Sequence, residues 1–128
     1  MVANDVRLYH LESMPYSSST VVLVADEHGK LAHVRLVSYR TIVVDIDLTD
    51  NTVACFGTYS ATTARHISKF TQEFFGVSKY HVFKACDFGA YRPIDPNDLT
   101  MIYRKAELYY IGGAGKPCRD INVGNAFY

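Results

Sequence analysis

The chain has 128 residues, of which 48% are hydrophobic and 20% charged, and it carries no net charge at pH 7. This size and balance are typical of one globular domain with a single core, and they exclude a disordered chain. No apolar run approaches the roughly 20 residues of a membrane span. The neutral balance also lacks the overall basicity of a general nucleic-acid binder and the dense acidity of a DNA mimic. We therefore expect a single domain over residues 1–128 that makes no contact with a membrane.

The amino-terminal residues predict the compartment of the protein, and its cysteines and histidines predict whether it holds a metal. Residues 1–5 have neither the basic nor the apolar region of a secretory signal, which predicts a cytoplasmic protein. The three cysteines show no Cys-x-x-Cys spacing, and no two of the five histidines are four residues apart. We expect reduced thiols, no metal and no other cofactor.

Residues 20–57 have the pattern of an antiparallel meander. The β-branched or alternating runs 20–25 and 31–37 flank a loop containing Gly29, as in a hairpin. The run 40–48 alternates and leads through a turn at 49–51 into a fourth strand that ends at 57. Its even-numbered residues form an apolar row of Ile42, Val44, Ile46 and Leu48. With residues 6–11 as an optional edge strand, the pattern predicts four or five strands.

A main helix is predicted over residues 61–75. Ser60 is a good N-cap because its hydroxyl can accept a bond from a free N–H of the first turn. An apolar stripe recurs at helical spacing through Ile67, Phe70 and Phe74, and Gly76 is suited to end the helix in the left-handed conformation. We expect this stripe to lie across the sheet.

Residues 78–111 form a second helical region in this interpretation. A short helix is predicted over 78–86, and Asp95 followed by Pro96 is a strong start signal for a helix that ends before Gly112. A strand over 100–111 is the alternative, because tyrosine and isoleucine also suit a sheet. The glycine-rich stretch 112–128 predicts an irregular tail. The fold class is therefore α+β, with one main helix on a sheet face and one or two further helices.

Two short segments carry a family resemblance. Ser38-Tyr39-Arg40-Thr41 opens a strand, and Tyr59-Ser60-Ala61-Thr62-Thr63-Ala64-Arg65-His66 opens the main helix. Together they resemble a family of small bacteriophage proteins known as a domain of unknown function, over residues 36–75. The resemblance implies a phage or mobile-element protein, and it brings no assigned catalytic residue.

No motif spacing supports a reaction. The segment 112–116 lacks the glycine and the Ser or Thr of a Walker loop. Ser60 and His66 are nearly two helical turns apart, too far for a direct bond in a hydrolytic pair. Asp45 and Asp47 share a strand face and could hold a divalent cation, but we expect a solvated sheet face. We accordingly expect that the protein is not an enzyme.

The best binding candidates are basic. Arg65 and Lys69 lie one turn apart on the helix side away from the apolar stripe, with His66 beside them, and Arg40 precedes the motif strand. A merely solvated helix face is the alternative. Tyr59 is added because tyrosine is the amphipathic contact residue of a chain that has ten tyrosines and no tryptophan.

These residues predict a binding function. We expect a non-enzymatic phage or mobile-element accessory protein that binds a host protein or ribonucleoprotein in the bacterial cytoplasm. An inhibitor of a host defence such as a CRISPR nuclease is one form of this hypothesis. The alternative is a nucleic-acid-binding accessory protein, and the sequence favours no oligomeric state.

Overall fold

The fold is that of a computed structural model, which describes residues 5–15, 17–57, 60–86 and 88–118. Within these ranges the chain forms an α+β fold of seven strands and three helices. The strands are β1 (Asp5–His10), β2 (Ser19–Ala25), β3 (Leu31–Ser38), β4 (Thr41–Asp47), β5 (Thr52–Cys55), β6 (Arg92–Pro93) and β7 (Lys116–Pro117). The helices are α1 (Ala61–Phe75), α2 (Tyr80–Ala85) and α3 (Pro96–Tyr110).

All strands belong to one antiparallel sheet with the order β6-β5-β4-β3-β2-β1-β7. The prediction of four or five strands was too low. The two-residue strands β6 and β7 are too short to show any periodicity, and they form because β5 and β1 offer free edges. β7 lies within the stretch predicted to be irregular, whose last part, residues 119–128, is outside the described residues.

A bulge in β4 changes the predicted sheet face of one residue. Leu36 pairs with Val44, but Val37 pairs with Ile42, so Val43 is an extra residue on β4. Val43 and Val44 are therefore both buried in the main core. Ile42 packs in a second apolar cluster that includes Val37, which is not where strict alternation placed it. The sequence pattern missed this because a bulge reverses the alternation without leaving an apolar gap.

α1 has the predicted bounds and the predicted inner face. Ile67, Phe70 and Phe74 are fully buried, in the same core as Val44 and Ile46 of β4. Gly76 follows the helix with φ 82°, a left-handed conformation that glycine adopts at little cost.

α3 occupies most of the segment for which a strand over residues 100–111 was the alternative prediction, so that alternative was wrong. The carboxylate of Asp95 accepts a hydrogen bond from the Asn97 N–H at 2.9 Å, and Pro96 occupies the first turn, as predicted. Ile102, Ala106 and Tyr109 are buried. The ring of Tyr109 stacks on Phe74 with centroids 5.4 Å apart, so α3 packs beside α1 over the main core.

Candidate functional site

The β3–β4 turn and the start of α1 meet at one end of the sheet. Ser38 ends β3, and its Oγ lies 2.9 Å from His66 Nδ1 and 3.0 Å from Thr63 Oγ1. The exposed fraction of each of these three residues is 4% or less. We call Ser38, Thr63 and His66 the Ser38 cluster. It joins the two sequence segments that carried the family resemblance.

Ser60 connects this cluster to the helix cap. Its Oγ accepts a hydrogen bond from the Thr63 N–H at 3.1 Å, which confirms the predicted N-cap. The same hydroxyl donates to Thr63 Oγ1 at 3.2 Å. Each hydroxyl has one proton, so Thr63 can donate to Ser38 and Ser38 can donate to a neutral His66. Every hydroxyl in the run is then satisfied.

The environment of His66 favours the neutral imidazole that this run requires. Burial lowers the pKa of His66 below its ordinary value of 6.5, and the positive charge of Arg65 lowers it further. The ring is therefore uncharged at pH 7, and its Nδ1 is free to accept the proton of Ser38.

Tyr39 has an unusual backbone conformation directly above this cluster. It forms a two-residue turn with Arg40, since Ser38 pairs with Thr41 across the hairpin. Its φ is 58°, in the left-handed region that favours glycine, and a bulky side chain there costs on the order of 1–3 kcal/mol. The Tyr39 N–H donates to Ser18 O at 2.8 Å. The side chain is 54% exposed, with its ring centroid 6.0 Å from that of His66.

The structure divides the predicted binding residues into two groups. Arg40 and Arg65 are exposed and Lys69 is half-buried, and none of the three forms an ion pair with any described residue. His66 is 1% exposed, so its predicted position on the outer side of α1 was wrong. One helical residue corresponds to about 100°, which turns His66 from Arg65 towards the sheet. Tyr59 lies outside the described residues.

The chemistry of the Ser38 cluster is structural. A serine hydroxyl 2.9 Å from a histidine nitrogen has the spacing of a nucleophile and its base. Here both groups are buried, and among the described residues no carboxylate contacts His66 to orient it. A substrate could not reach the hydroxyl. The contact instead fixes the β3–β4 turn, and with it Tyr39, against α1.

A second polar cluster surrounds Asp45. Its Oδ1 accepts hydrogen bonds from Arg35 Nε at 3.1 Å and lies 3.1 Å from His33 Nδ1, and its Oδ2 accepts from Tyr91 Oη at 2.6 Å. Asp45 is only 4% exposed, so the expected solvated sheet face was wrong at this residue. The sequence signal that could have revealed the cluster is register: Arg35 faces Asp45 on the neighbouring strand.

Asp45 is ionised, and its negative charge is compensated by the groups around it. Burial by itself would raise the pKa of Asp45, but hydrogen bonds from His33 and Tyr91 and the charges of His33 and Arg35 lower it below its ordinary value. Burial and the neighbouring Asp45 carboxylate raise the pKa of Tyr91, so the phenol keeps its proton. Asp47, the other carboxylate of the predicted pair, accepts hydrogen bonds within the turn from the Thr49 N–H at 2.9 Å. No group of three or more metal-ligating side chains occurs in the described part of the chain.

A family described as a family of unknown function, DUF8033, matches residues 9–83. The chain belongs to this family. The DUF8033 match contains both segments that build the Ser38 cluster, and it ends within α2. No curated protein and no solved structure matches the chain. None of the helices in the described ranges is long and apolar enough to cross a membrane.

Proposed function

We propose that the protein is a non-enzymatic accessory protein of a phage or mobile element, which binds a host macromolecule through the surface around Tyr39, Arg40 and Arg65. We call these three residues the Tyr39 surface. The phage or mobile-element origin, and with it a location in the cytoplasm of the host, rests on the sequence resemblance alone. The binding mode rests on the geometry at the end of the sheet.

The backbone conformation of Tyr39 is the observation that carries the proposal. A large aromatic residue occupies a position where glycine would be less strained, and its ring is exposed where it contributes little to the core. Strain of this kind persists when the surroundings hold it, and here the Ser18 and Ser38 contacts do so. An exposed, positioned tyrosine is a common anchor in binding interfaces, because it offers both apolar area and a hydroxyl.

The neighbouring charges indicate which chemistry the surface of the partner should have. Arg40 is next to Tyr39 in the chain, and Arg65 is close enough to His66 to lower its pKa. Arg40 and Arg65 form no ion pair with described residues, whereas Arg7, Arg35 and Lys105 each contact a carboxylate. Unpaired arginines beside an aromatic group favour an acidic surface. A host protein or ribonucleoprotein presenting carboxylates or phosphates would complement this surface. A host-defence nuclease such as a CRISPR effector is a ribonucleoprotein whose guide RNA carries phosphates.

Direct binding of nucleic acid is the second candidate function. The same arginines could contact phosphates while Tyr39 stacks on a base. The two functions differ in salt dependence, because each phosphate contact releases counterions and weakens binding steeply as salt increases. A protein partner held by a central tyrosine would show a flatter dependence.

Charge reversal tests the proposal. Wild type and the double variant Arg65→Glu/Lys69→Glu serve as baits for capture from host lysate, and the recovered partner is then titrated against each. Lys69 is included because it lies one helical turn from Arg65 on α1. We expect the double variant to bind more weakly by more than about 1 kcal/mol with little change in melting temperature. The matched control is Lys30→Glu/Arg104→Glu, which reverses two exposed charges away from the Tyr39 surface and should bind normally. Equal binding by both double variants would contradict the proposal.

Tyr39→Gly separates binding from stability. Glycine relieves the left-handed strain, so we expect the free energy of unfolding to stay the same or to rise while partner binding falls. If the partner is a host-defence enzyme, its inhibition by this protein should be stoichiometric, because binding involves no turnover. Inhibition that persists at a small fraction of the target concentration would point to an enzyme.

A further inference from the structure

A cavity of about 220 Å³ lies between β5, α2 and the start of α3. It is independent of the Tyr39 surface, because α1 separates them: the cavity contacts Phe75 at the end of the helix, about 22 Å from its first turn. We infer that this cavity binds a small molecule that has a compact apolar body and one negatively charged group, such as an aromatic carboxylic acid.

The interior of the cavity is apolar. Phe75 and Phe83 meet edge to face with centroids 5.8 Å apart, and both are buried, as are Cys55 and Ile94. Small-molecule sites are lined mainly by such side chains, with a few polar groups that fix the orientation of the ligand. An engineered apolar cavity of roughly 150 Å³ holds benzene. The larger cavity here can accept a substituted ring.

The polar groups of the lining favour an anion. The Asp95 carboxylate caps α3 by accepting from the Asn97 N–H, and the helix dipole offsets part of its negative charge at this position. Asp98 is paired with Lys79, with Nζ and Oδ2 3.7 Å apart. Arg92 also lines the cavity and forms no ion pair with a described residue, so its guanidinium is the cationic group of the lining that remains available. A carboxylate on the ligand would form an ion pair with the Arg92 guanidinium, whose two parallel N–H groups can bind both carboxylate oxygens.

Cys86 provides a direct measure of occupancy. Its thiol is half-buried in the lining of the cavity, whereas Cys118 is buried elsewhere. A molecule that fills the cavity should therefore slow alkylation of Cys86 by iodoacetamide. Mass spectrometry of the modified peptide distinguishes Cys86 from the other two cysteines.

The experiment uses the full chain and three probes of the same shape: phenylacetate, phenylacetamide and 2-phenylethylamine. At millimolar concentration we expect phenylacetate to raise the melting temperature and to protect Cys86. The neutral amide should bind more weakly by about fivefold, and the amine more weakly still. Arg92→Gln should reduce phenylacetate affinity by about the same factor and remove the preference over the amide. Arg104→Gln, an exposed arginine of α3 that does not line the cavity, is the matched control.

Two results would overturn the inference. Unchanged Cys86 alkylation at saturating phenylacetate would mean that the cavity is not a binding site. Equal affinity for the three probes, unaffected by Arg92→Gln, would mean that the site does not select an anion. Neither result bears on the proposed function, since no residue of the Tyr39 surface is altered.

Discussion

The buried face of α1 changes character half-way along the helix. From Ile67 onward, the part we call the apolar half, it buries Ile67, Phe70 and Phe74 against the apolar core. Thr71 is the polar residue buried in this part, and its hydroxyl donates to Ile67 O of the same helix. The first turns, the polar half, bury Thr63 and His66 instead. The apolar half needs only shape and area, because removing apolar surface from water is favourable with almost any apolar neighbour. The polar half is stable in the core only because its hydrogen-bonding groups find each other, since an unpaired buried polar group costs free energy.

This difference decides how each half can be changed. The apolar half should tolerate conservative apolar substitutions but not the removal of volume. The polar half should be sensitive to the loss of one hydroxyl, and its stability should vary with pH.

The largest expected effect is in the apolar half. Phe70 is fully buried and its ring stacks on Phe74 with centroids 4.7 Å apart. Phe70→Ala should lower the free energy of unfolding by about 3–5 kcal/mol, because it removes buried area and leaves a cavity. Urea denaturation measures this loss. Ile111→Ala, at an exposed apolar residue, is the control and should stay within about 0.5 kcal/mol of the wild type. A loss as small as that of the control would contradict the packing of α1 on the sheet.

A smaller loss is expected from the polar half. Ser38→Ala removes the hydroxyl that contacts both His66 and Thr63. It should cost about 1–3 kcal/mol, because His66 Nδ1 then stays buried without a donor and the Thr63 hydroxyl without the acceptor of its proton. Ser78→Ala removes an exposed hydroxyl whose partners among the described residues are Ser68 Oγ and the Tyr80 N–H, so it should cost well under about 1 kcal/mol. Equal losses in the two variants would show that the Ser38 cluster contributes nothing beyond its packing.

The contrast also explains what the sequence could predict. Apolar spacing predicted α1 with the correct bounds, and the residues Ser60, Gly76 and Asp95 predicted the helix ends, because caps and periodicity are local properties. The inward position of His66 could not be predicted in this way. A polar residue on the inner face resembles one on the outer face until its partner on another strand is known.

The strand register limited in the same way what the sequence could predict about the sheet. Asp45 was expected to be solvated because its partners Arg35 and Tyr91 come from other parts of the chain. The bulge at Val43 turned Ile42 to the second face, and β6 and β7 are too short to leave a pattern. The binding roles of Arg40 and Arg65 stay a prediction from the sequence, whereas the conformation of Tyr39 is visible only in the structure.

The polar half should make stability depend on pH. The pKa of His66 is lower in the folded protein than its ordinary value of 6.5, so between these two values the unfolded chain binds more protons. The contribution of neutral His66 to the free energy of unfolding is then fully present above about pH 6.5. It is lost as the pH falls towards the pKa of the folded state, and the free energy of unfolding changes by at most about 1.4 kcal/mol per pH unit. The carboxylates Asp45 and Asp47, whose pKa values are also lowered, contribute their loss only further down, near and below their ordinary value of 3.8.

His66→Gln isolates this contribution. Unfolding free energies of the variant and the wild type, measured from pH 7.5 down to about 4.5, should differ less at the acid end than at neutral pH, because the variant lacks the titrating group. His81→Gln, the same substitution at an exposed histidine, is the matched control against which the profile of His66→Gln is compared. A pH profile of His66→Gln that is parallel to the wild type would mean that protonation of His66 does not destabilise the fold.

The smallest effect is expected at Ser60, where the polar half of α1 meets solvent. Ser60→Ala removes the acceptor of the Thr63 N–H and should cost about 1 kcal/mol, less than the loss at Ser38, because Ser60 is exposed and water can replace its oxygen. Ser60→Asp keeps a capping oxygen and should restore most of the stability, whereas Thr62→Ala, beside it on the same turn, should change little. Partner binding by Ser60→Ala should equal that of the wild type, because the cap holds the helix and does not belong to the Tyr39 surface. Lost binding at unchanged stability would place Ser60 in the contact surface, and the boundary between the structural cluster and the binding surface would then have to move outward to include the first turn of α1.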